Sequence, residues 1–262
     1  MLKKRLIFTL LYDEGSFILS RNFNLQKVGD INWLRKNYNF SKITFAIDEL
    51  IVLDISRNKR DINNFCDHLK EISKDCFVPI SAGGGISNKE DAKQILRSGA
   101  DKLVFNSLIY NNSKEFHEIA KLFGKQCIIA SVDIKKIKND YKVYINNGTK
   151  EIEFNAQQWL EKLLKFPIGE LYINSIDRDG TGQGLNMSLL DLLHNDISFP
   201  VILSGGVGHY KHLIDGLSDN RIDAVSTAHL FNFIGDAFKH ARNNIIKSKI
   251  PIVNWEKFDD SK

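Results

Sequence analysis

Two glycine clusters, each following a short apolar run, are the residues best suited to bind a ligand. They are Ala82–Ile86 and Ser204–Gly208, and each stands between a predicted strand and a predicted helix. Glycine lets the backbone approach a ligand and present its N–H groups, while a helix N-terminus adds a positive dipole for an anion. We therefore predict two phosphate sites, at Gly84-Gly85 and at Gly205-Gly206, although tight turns alone would also account for these glycines.

Small polar residues at neighbouring strand ends extend both predicted sites. Asn106-Ser107 ends a strand after the first cluster, and Ala228-His229 ends a strand after the second. Their polar groups suit a phosphate, but residues of these types also cap helices. Gly180-Thr181 lies in a further loop, whose glycines allow it to bend over a ligand. These six residues complete the predicted phosphate-binding set.

Carboxylates at strand ends supply the candidate acid–base groups. Asp133 ends one apolar run, and Asp177 opens the stretch Asp177–Thr181 after the next run. Carboxylates at the open end of a barrel are natural general acids and bases. Helix capping or ion pairing within a loop is the alternative interpretation.

The elements that would position these residues alternate regularly along the chain. Eight short apolar runs are each followed by a helical pattern, as in Asp61–Ser73, Lys89–Ser98 and Ala156–Lys165. Nearly continuous apolar character indicates parallel strands covered by helices. Eight such units in about 250 residues favour an α/β fold of the (β/α)8 TIM barrel type over an open, doubly wound sheet. The runs are Arg5–Leu11, Leu50–Asp54, Val78–Ala82, Lys102–Phe105, Cys127–Val132, Leu171–Asn174, Val201–Ser204 and Asp223–Ser226.

The two halves of the chain resemble each other at a shift of 121 residues. Glu49-Leu50 corresponds to Glu170-Leu171, and Gly84-Gly85 corresponds to Gly205-Gly206. A period of half the chain predicts two similar half-barrels, which supports the closed barrel. The predicted bounds are about 1–122 and 123–245 for the half-barrels and 246–262 for a C-terminal tail, within a single domain of 1–262.

Composition argues against several classes of protein. The net charge is +4 without a dominant basic block, so neither nucleic acid nor a membrane is expected as a partner. Three cysteines without CxxC spacing give no disulfide framework, and the histidines show no metal-ligand grouping, so we expect no metal and no cofactor. The first apolar run is too short for a signal peptide and lacks a cleavage site. A reducing, cytoplasmic location fits best.

Several stretches of the sequence resemble the cyclase subunit of imidazole glycerol phosphate synthase. The resemblance runs from residue 1 to about 245, and Asp177–Thr181 and Ser204–Gly206 are its most specific parts. It implies a barrel that receives ammonia from a glutaminase docked on its lower face. Such a barrel condenses the ammonia with a doubly phosphorylated ribulosyl nucleotide and cyclises the product. The other stretches are Arg5, Asp48–Leu50, Leu53–Ile55, Gly83–Ile86, Ser98–Lys102 and Asn106-Ser107.

One catalytic position of that family is altered here. The resemblance implies catalytic aspartates at the ends of the first and fifth strands. Asp133 matches the second, but the first falls on Leu11 and a nearby lysine of the family falls on Leu19. Leucine cannot transfer a proton. Asp13 and Arg21 lie two residues further on and share the faces of these leucines, so a shifted site with a catalytic Asp13 is an alternative.

Four charged residues begin strands one, two, four and six, and therefore surround the bottom of the predicted barrel. They are Arg5, Glu49, Lys102 and Glu170. Two cations and two anions there could pair in a ring, since unpaired buried charges are costly. Ordinary stabilising ion pairs are the alternative. The resemblance instead implies that they gate an ammonia channel, and that Asp101 contacts the glutaminase.

A retained lower face and an altered upper face together suggest a specialised paralogue. We expect a heterodimer with a glutaminase that conducts ammonia for sugar amidation or amidination in surface-polysaccharide biosynthesis. An ATP-dependent sugar amidotransferase would be a further partner, and a phosphorylated small molecule a ligand. The alternatives are an authentic cyclase of histidine biosynthesis with a rearranged first loop, a non-catalytic scaffold that activates the glutaminase, and the related barrel isomerase of histidine biosynthesis.

Overall fold

The secondary structure alternates between strands and helices along almost the whole chain. A computed structural model describes residues 3–38, 40–43 and 45–255. The strands are β1 (Arg5–Asp13), β2 (Ser16–Arg21), β3 (Asn24–Gly29), β4 (Glu49–Asp54), β5 (Ile80–Gly83), β6 (Lys102–Phe105), β7 (Ile128–Ile137), β8 (Asp140–Ile145), β9 (Lys150–Asn155), β10 (Glu170–Ser175), β11 (Val201–Ser204) and β12 (Ala224–Thr227). The helices are α1 (Ile31–Asn37), α2 (Phe40–Ile43), α3 (Ile62–Asp75), α4 (Lys89–Arg97), α5 (Ser107–Asn111), α6 (Ser113–Phe123), α7 (Ala156–Leu163), α8 (Tyr210–Leu217) and α9 (Ala237–Lys247), with short 3-10 helices at Lys125–Cys127, Met187–Leu192 and Leu230–Phe233.

Eight parallel strands close into a barrel. Their order is β10-β11-β12-β1-β4-β5-β6-β7, and a further pairing of β7 with β10 completes the circle. The prediction of a (β/α)8 barrel with these eight strands is therefore confirmed, and the open sheet is excluded. No helix in the described ranges is long and apolar enough to cross a bilayer.

The barrel strands bury side chains on both faces, as the apolar runs predicted. One face packs under the helices in the large core, and the other fills the barrel interior. The interior cluster consists of Ile7, Ile51, Val104, Ile129, Tyr172, Ile202 and Ala224. Since side chains alternate along a strand, the residues two positions earlier and later also point into the barrel.

The internal repeat is visible in the strand register. Leu50 pairs with Ile80 in the first half, and Leu171 pairs with Val201 in the second. Both residues of the second pair lie 121 positions after those of the first. The two halves thus place their glycine loops at equivalent points on the upper face.

Two antiparallel hairpins, which the apolar runs did not predict, extend this scaffold on its upper side. Strands β2 and β3 continue from β1, and strands β8 and β9 continue from β7. The predicted tail, 246–262, begins inside α9, and Ile252 forms a parallel bridge with Lys4. The rest of the tail, 256–262, lies outside the described residues.

Candidate functional site

A cavity of about 700 Å³ lies at the carboxyl ends of the barrel strands. This volume suits a small-molecule ligand, and this face carries the active site in TIM barrels. The lining is rich in amides, and the asparagines are Asn106, Asn111, Asn112, Asn146, Asn147 and Asn174. Amides can donate and accept hydrogen bonds, so they suit a ligand that carries hydroxyl groups.

Asp133, the predicted catalytic carboxylate on β7, lies in the wall of this cavity. Asn106 Nδ2 donates to one carboxylate oxygen at 3.0 Å, and Asn174 Nδ2 donates to the other at 3.1 Å. Burial raises the pKa of Asp133 to about 7, although the two amide donors oppose that shift. Both protonation states are therefore populated near neutral pH, which suits a general acid or base. Asn106 makes no side-chain cap on α5, so its amide orients Asp133 instead.

A second carboxylate, Asp179, lines the same cavity. Its Oδ2 accepts hydrogen bonds from Ser20 Oγ at 2.5 Å and from the backbone N–H of Phe23 at 3.1 Å. Burial raises the pKa of Asp179, and the charge of Asp179 in turn contributes to the raised pKa of Asp133. Asp179 thus fastens the β2–β3 hairpin over the cavity and places a second ionisable group near the first.

The predicted Asp177 lies outside the residues that line the cavity. Its Oδ2 accepts a hydrogen bond from the backbone N–H of Lys136 at 2.7 Å, so it holds the β7–β8 hairpin close to its turn. In the same loop, Thr181 Oγ1 donates to Arg178 O at 2.8 Å, while Gly180 borders the second glycine loop. The structure therefore brings Asp179, rather than Asp177, close to Asp133.

Leu11 is part of the cavity lining, as its place on the inward face of β1 requires. Asp13 and Arg21, the residues of the alternative shifted site, are both absent from that lining, and so is Leu19. The β2–β3 hairpin turns Ser20 toward the cavity, and Arg21 is exposed. The described geometry therefore offers an apolar side chain at the position where the resemblance implies the first catalytic aspartate.

The first glycine loop, Gly83–Gly85, borders the large cavity. Gly84 and Gly85 have φ values of +102° and +69°, a region that side chains disfavour. A Cβ on Gly85 would stand 2.2 Å from Cδ of Arg60, so the guanidinium stem packs on this glycine. Arg60 is also paired with Asp54, with 3.2 Å between Nε and Oδ2. Arg57 lines the cavity nearby. This end of the cavity combines two cations with the predicted phosphate residues Asn106 and Ser107.

The second glycine loop, Gly205-Gly206, encloses far less space. The pocket that it shares with Ala228 and His229 measures about 20 Å³. Gly184 N donates to Gly206 O at 2.8 Å, which holds a neighbouring loop against the glycines. His229 Nδ1 is buried without a hydrogen-bond partner among the described residues, and burial lowers the pKa of His229. Asp179 borders this pocket as well as the cavity.

Hydroxyl groups from the four neighbouring strands β10, β11, β12 and β1 lie in the barrel interior, between the cavity and the lower half of the barrel. Thr9 Oγ1 and Ser226 Oγ are 2.6 Å apart, and Tyr172 OH donates to Ser204 Oγ at 2.9 Å. Burial raises the pKa of Tyr172, so its hydroxyl stays protonated. Tyr172 also belongs to the apolar interior cluster, so this residue reaches from the lower interior to the cavity floor.

The four predicted charges form a closed ring at the bottom of the barrel. Arg5 pairs with Glu49 and, at 2.8 Å, with Glu170. Lys102 pairs with Glu49 at 3.5 Å and with Glu170 at 2.5 Å. Ion pairing with the two cations lowers the pKa of Glu170 in spite of its burial. On each of their strands, the next inward residue belongs to the interior cluster, so the four-charge ring lies directly under the barrel core.

Exposed apolar side chains stand in the segments that enter the barrel from this lower side. Phe45 is 42% exposed, Phe77 is 72% exposed and Leu122 is 59% exposed. Asp101, the predicted partner contact, is exposed here as well, although its Oδ2 also accepts a hydrogen bond from Ile80 N at 2.8 Å. Isolated apolar residues are ordinary on a surface, but several on one face are typical of an interaction site.

Three residues of this site were not singled out in the sequence. Asn174 and Tyr172 share the inward face of β10 with Glu170, so strand alternation alone could have identified them. The sequence alone could not show whether Asp177 or Asp179 faces the cavity, because that depends on the conformation of their loop. In the described part of the chain no group of three or more His, Cys, Asp or Glu side chains could hold a metal ion.

Comparisons with known proteins agree with this architecture. A profile of the family described as "Histidine biosynthesis protein" matches residues 24–235. A putative imidazole glycerol phosphate synthase subunit hisF2 from Parasynechococcus marenigrum (strain WH8102) is 45% identical over 256 residues, which cover 97% of this chain and 95% of that protein. The imidazole glycerol phosphate synthase subunit HisF of Bacillus cereus (strain G9842) is 35% identical, covering 89% of this chain and 92% of its own. The HisF subunit of Chlorobium phaeovibrioides is also 35% identical, covering 92% and 95%.

Proposed function

Since this chain belongs to the family of imidazole glycerol phosphate synthase cyclase subunits, we propose that it is the ammonia-receiving subunit of a glutamine amidotransferase. A glutaminase partner would release ammonia at the lower face. The barrel would conduct it for amidation or amidination of a sugar in surface-polysaccharide biosynthesis. The observation that carries the proposal is the closed four-charge ring below a cavity that presents Leu11.

The interior of the barrel supports a passage for a small neutral molecule. The ring lies at the bottom, the apolar cluster lies above it, and the hydroxyls of Thr9 and Tyr172 reach the cavity floor. Ammonia is a small hydrogen-bonding solute, so hydroxyl groups on an otherwise apolar path can receive it. Alternating charges that satisfy one another leave no net charge to trap an ammonium ion.

The lower face supports a protein partner at the entrance to that passage. Phe45, Phe77 and Leu122 are exposed on the side where the four-charge ring opens. Aromatic side chains are favoured at the centre of protein interfaces. A glutaminase that covered these residues would seal the passage from solvent.

The upper face supports a reaction other than the cyclisation that a pair of catalytic aspartates would perform. Leu11 supplies an apolar wall, and Asp13 lies outside the lining. Asp133, with a pKa of about 7, remains as an acid or base. It could protonate an oxygen that ammonia displaces, or accept a proton from the attacking nitrogen.

One observation favours the authentic cyclase as a second candidate. Asp179 lies in the same cavity as Asp133, and burial raises the pKa of both carboxyls. Two such groups could divide acid and base roles between them. Against this candidate, Oδ2 of Asp179 already accepts hydrogen bonds from Ser20 Oγ and Phe23 N, which tie this carboxylate to the β2–β3 hairpin.

Deletion of the gene in its own organism, with analysis of the surface polysaccharide, tests the proposal. We expect the deletion strain to grow without histidine and to carry carboxylate or unmodified sugars in place of amides or amidines. When the deletion strain carries a gene with Lys102→Met, the sugar modification should not return with glutamine as the nitrogen source. It should return when ammonium is supplied in excess. An unchanged polysaccharide, or loss of growth without histidine, would refute the proposal.

A further inference from the structure

A small polar niche adjoins the large cavity beside the second glycine loop. Asp179, His229, Ser204 and Ser226 border it, together with Gly205-Gly206. Its space of about 20 Å³ holds one molecule of the size of water. We propose that this niche binds an ammonium ion, held by the carboxylate of Asp179, the imidazole of His229 and the hydroxyl of Ser226. This inference deepens the proposed function and rests on it for the source of the ammonia.

Asp179 supplies the negative charge that a bound cation needs. Burial raises the pKa of Asp179, while hydrogen bonds from Ser20 Oγ and the backbone N–H of Phe23 favour its ionised form. None of the described residues that border the niche is a lysine or an arginine. A cation in the niche would therefore meet a carboxylate without competition from a basic side chain. Charge-assisted hydrogen bonds from N–H to a carboxylate are also stronger than bonds between neutral groups.

His229 offers a hydrogen-bond acceptor that the described residues leave unused. Its Nδ1 is buried and has no hydrogen-bond partner among them. Burial lowers the pKa of His229, so its ring is neutral near neutral pH and does not repel a cation. With the proton on Nε2, Nδ1 is an acceptor, and leaving a buried acceptor unpaired is costly. An ammonium ion has four N–H donors and no acceptor, so it complements both His229 and Asp179.

Two serines connect the niche to the interior of the barrel. Ser226 Oγ lies 2.6 Å from Thr9 Oγ1 in the hydroxyl groups of the interior, and Ser204 belongs to the same groups. A serine hydroxyl that donates to Thr9 keeps lone pairs for an ammonium N–H. Ser204 and Asp179 also line the large cavity that contains Asp133. The niche therefore adjoins both the proposed passage and the working cavity.

Thermal unfolding of the purified chain in two salts tests the inference. Ammonium chloride replaces potassium chloride stepwise at constant ionic strength and near neutral pH, and circular dichroism follows the unfolding. Potassium is the matched ion, because it has the same charge but donates no hydrogen bonds. The melting temperature should rise and then level off as a single site fills. The rise should be about 3 °C or more at about tenfold excess of ammonium over its dissociation constant.

Two variants remove the ligands of the proposed site. Asp179→Asn and His229→Leu should each abolish the difference between the two salts. The matched control is Asp196→Asn, because Asp196 lies near a histidine, His194, at 3.4 Å on the surface and should keep the difference. Each variant is compared with itself in the two salts, so a general loss of stability does not affect the result. Should one variant fold poorly, the other provides the same comparison.

The outcomes separate this inference from the proposed function. Equal melting temperatures of the wild type in the two salts, or a difference that persists in Asp179→Asn, would overturn the ammonium site. The measurement needs neither glutaminase nor sugar, so its failure would leave the proposed ammonia passage standing. Saturable stabilisation by ammonium together with an unchanged polysaccharide in the deletion strain would instead refute the proposed function alone.

Discussion

Replacement of Glu170 by glutamine tests whether the four-charge ring acts as one unit. Glu170 accepts from Arg5 at 2.8 Å and from Lys102 at 2.5 Å, and only 9% of its side chain is exposed. The variant would leave two cations to share Glu49. Removal of one partner from a buried ion pair costs about 3–5 kcal/mol. The cations retain 20% and 21% exposure, so we expect the lower end, about 3 kcal/mol of unfolding free energy.

Urea unfolding followed by circular dichroism measures this loss. The matched control is Glu71→Gln, because Glu71 pairs with Arg35 on the surface with 39% of its side chain exposed. That change should cost much less than Glu170→Gln, because exposed ion pairs are screened by solvent. The pKa of Glu170 is lowered in the folded chain, so its contribution is present above the unfolded value of 4.5 and is lost as the pH falls through the lower, folded value. Equal losses in both variants, or a difference between wild type and Glu170→Gln that persists in acid, would refute the ring as a coupled unit.

Three further predictions concern the upper face. The pKa of Asp133 is raised to about 7, so wild type should lose stability relative to Asp133→Asn as the pH rises from 3.8 through 7. Urea unfolding at each pH measures this difference in unfolding free energy, which should be at most about 4 kcal/mol. Gly84→Ala, where a Cβ would lie 2.0 Å from a backbone oxygen at a φ of +102°, should cost about 3 kcal/mol or more in urea unfolding. The matched control is Gly15→Ala, which has open space at a φ of +87° and should cost about 1 kcal/mol. Ser20→Ala removes a hydrogen bond to Asp179 and should speed proteolytic cleavage within the β2–β3 hairpin, and an unchanged cleavage rate would show that this bond does not hold the hairpin.

The barrel could be predicted from sequence because local patterns determine it. Apolar runs such as Val201–Ser204 are buried on both faces, and the capped pattern after Asp61 forms α3 as expected. The four-charge ring could be predicted because its members stand at the starts of their strands. Equivalent positions on parallel strands meet at one end of a barrel. Leu11, which the family resemblance aligned with a catalytic position, lies in the cavity lining.

The site itself was harder to predict, because loop conformation decides it. Asp177 and Asp179 have the same side chain two positions apart, yet one binds Lys136 N and the other borders the cavity. The repeat suggested two equivalent phosphate loops. Their difference in room arises from contacts that no local pattern encodes, such as Gly184 against Gly206.

Growth of a cyclase-deletion strain that carries this gene tests the central claim most directly. The claim is that the chain retains the ammonia passage of its family but does not perform the cyclisation, because Leu11 stands where an aspartate is needed. We predict no growth without histidine, while the host's own cyclase restores growth and the tagged chain is recovered with a glutaminase. Full growth without histidine, supported by this gene alone, would contradict the account.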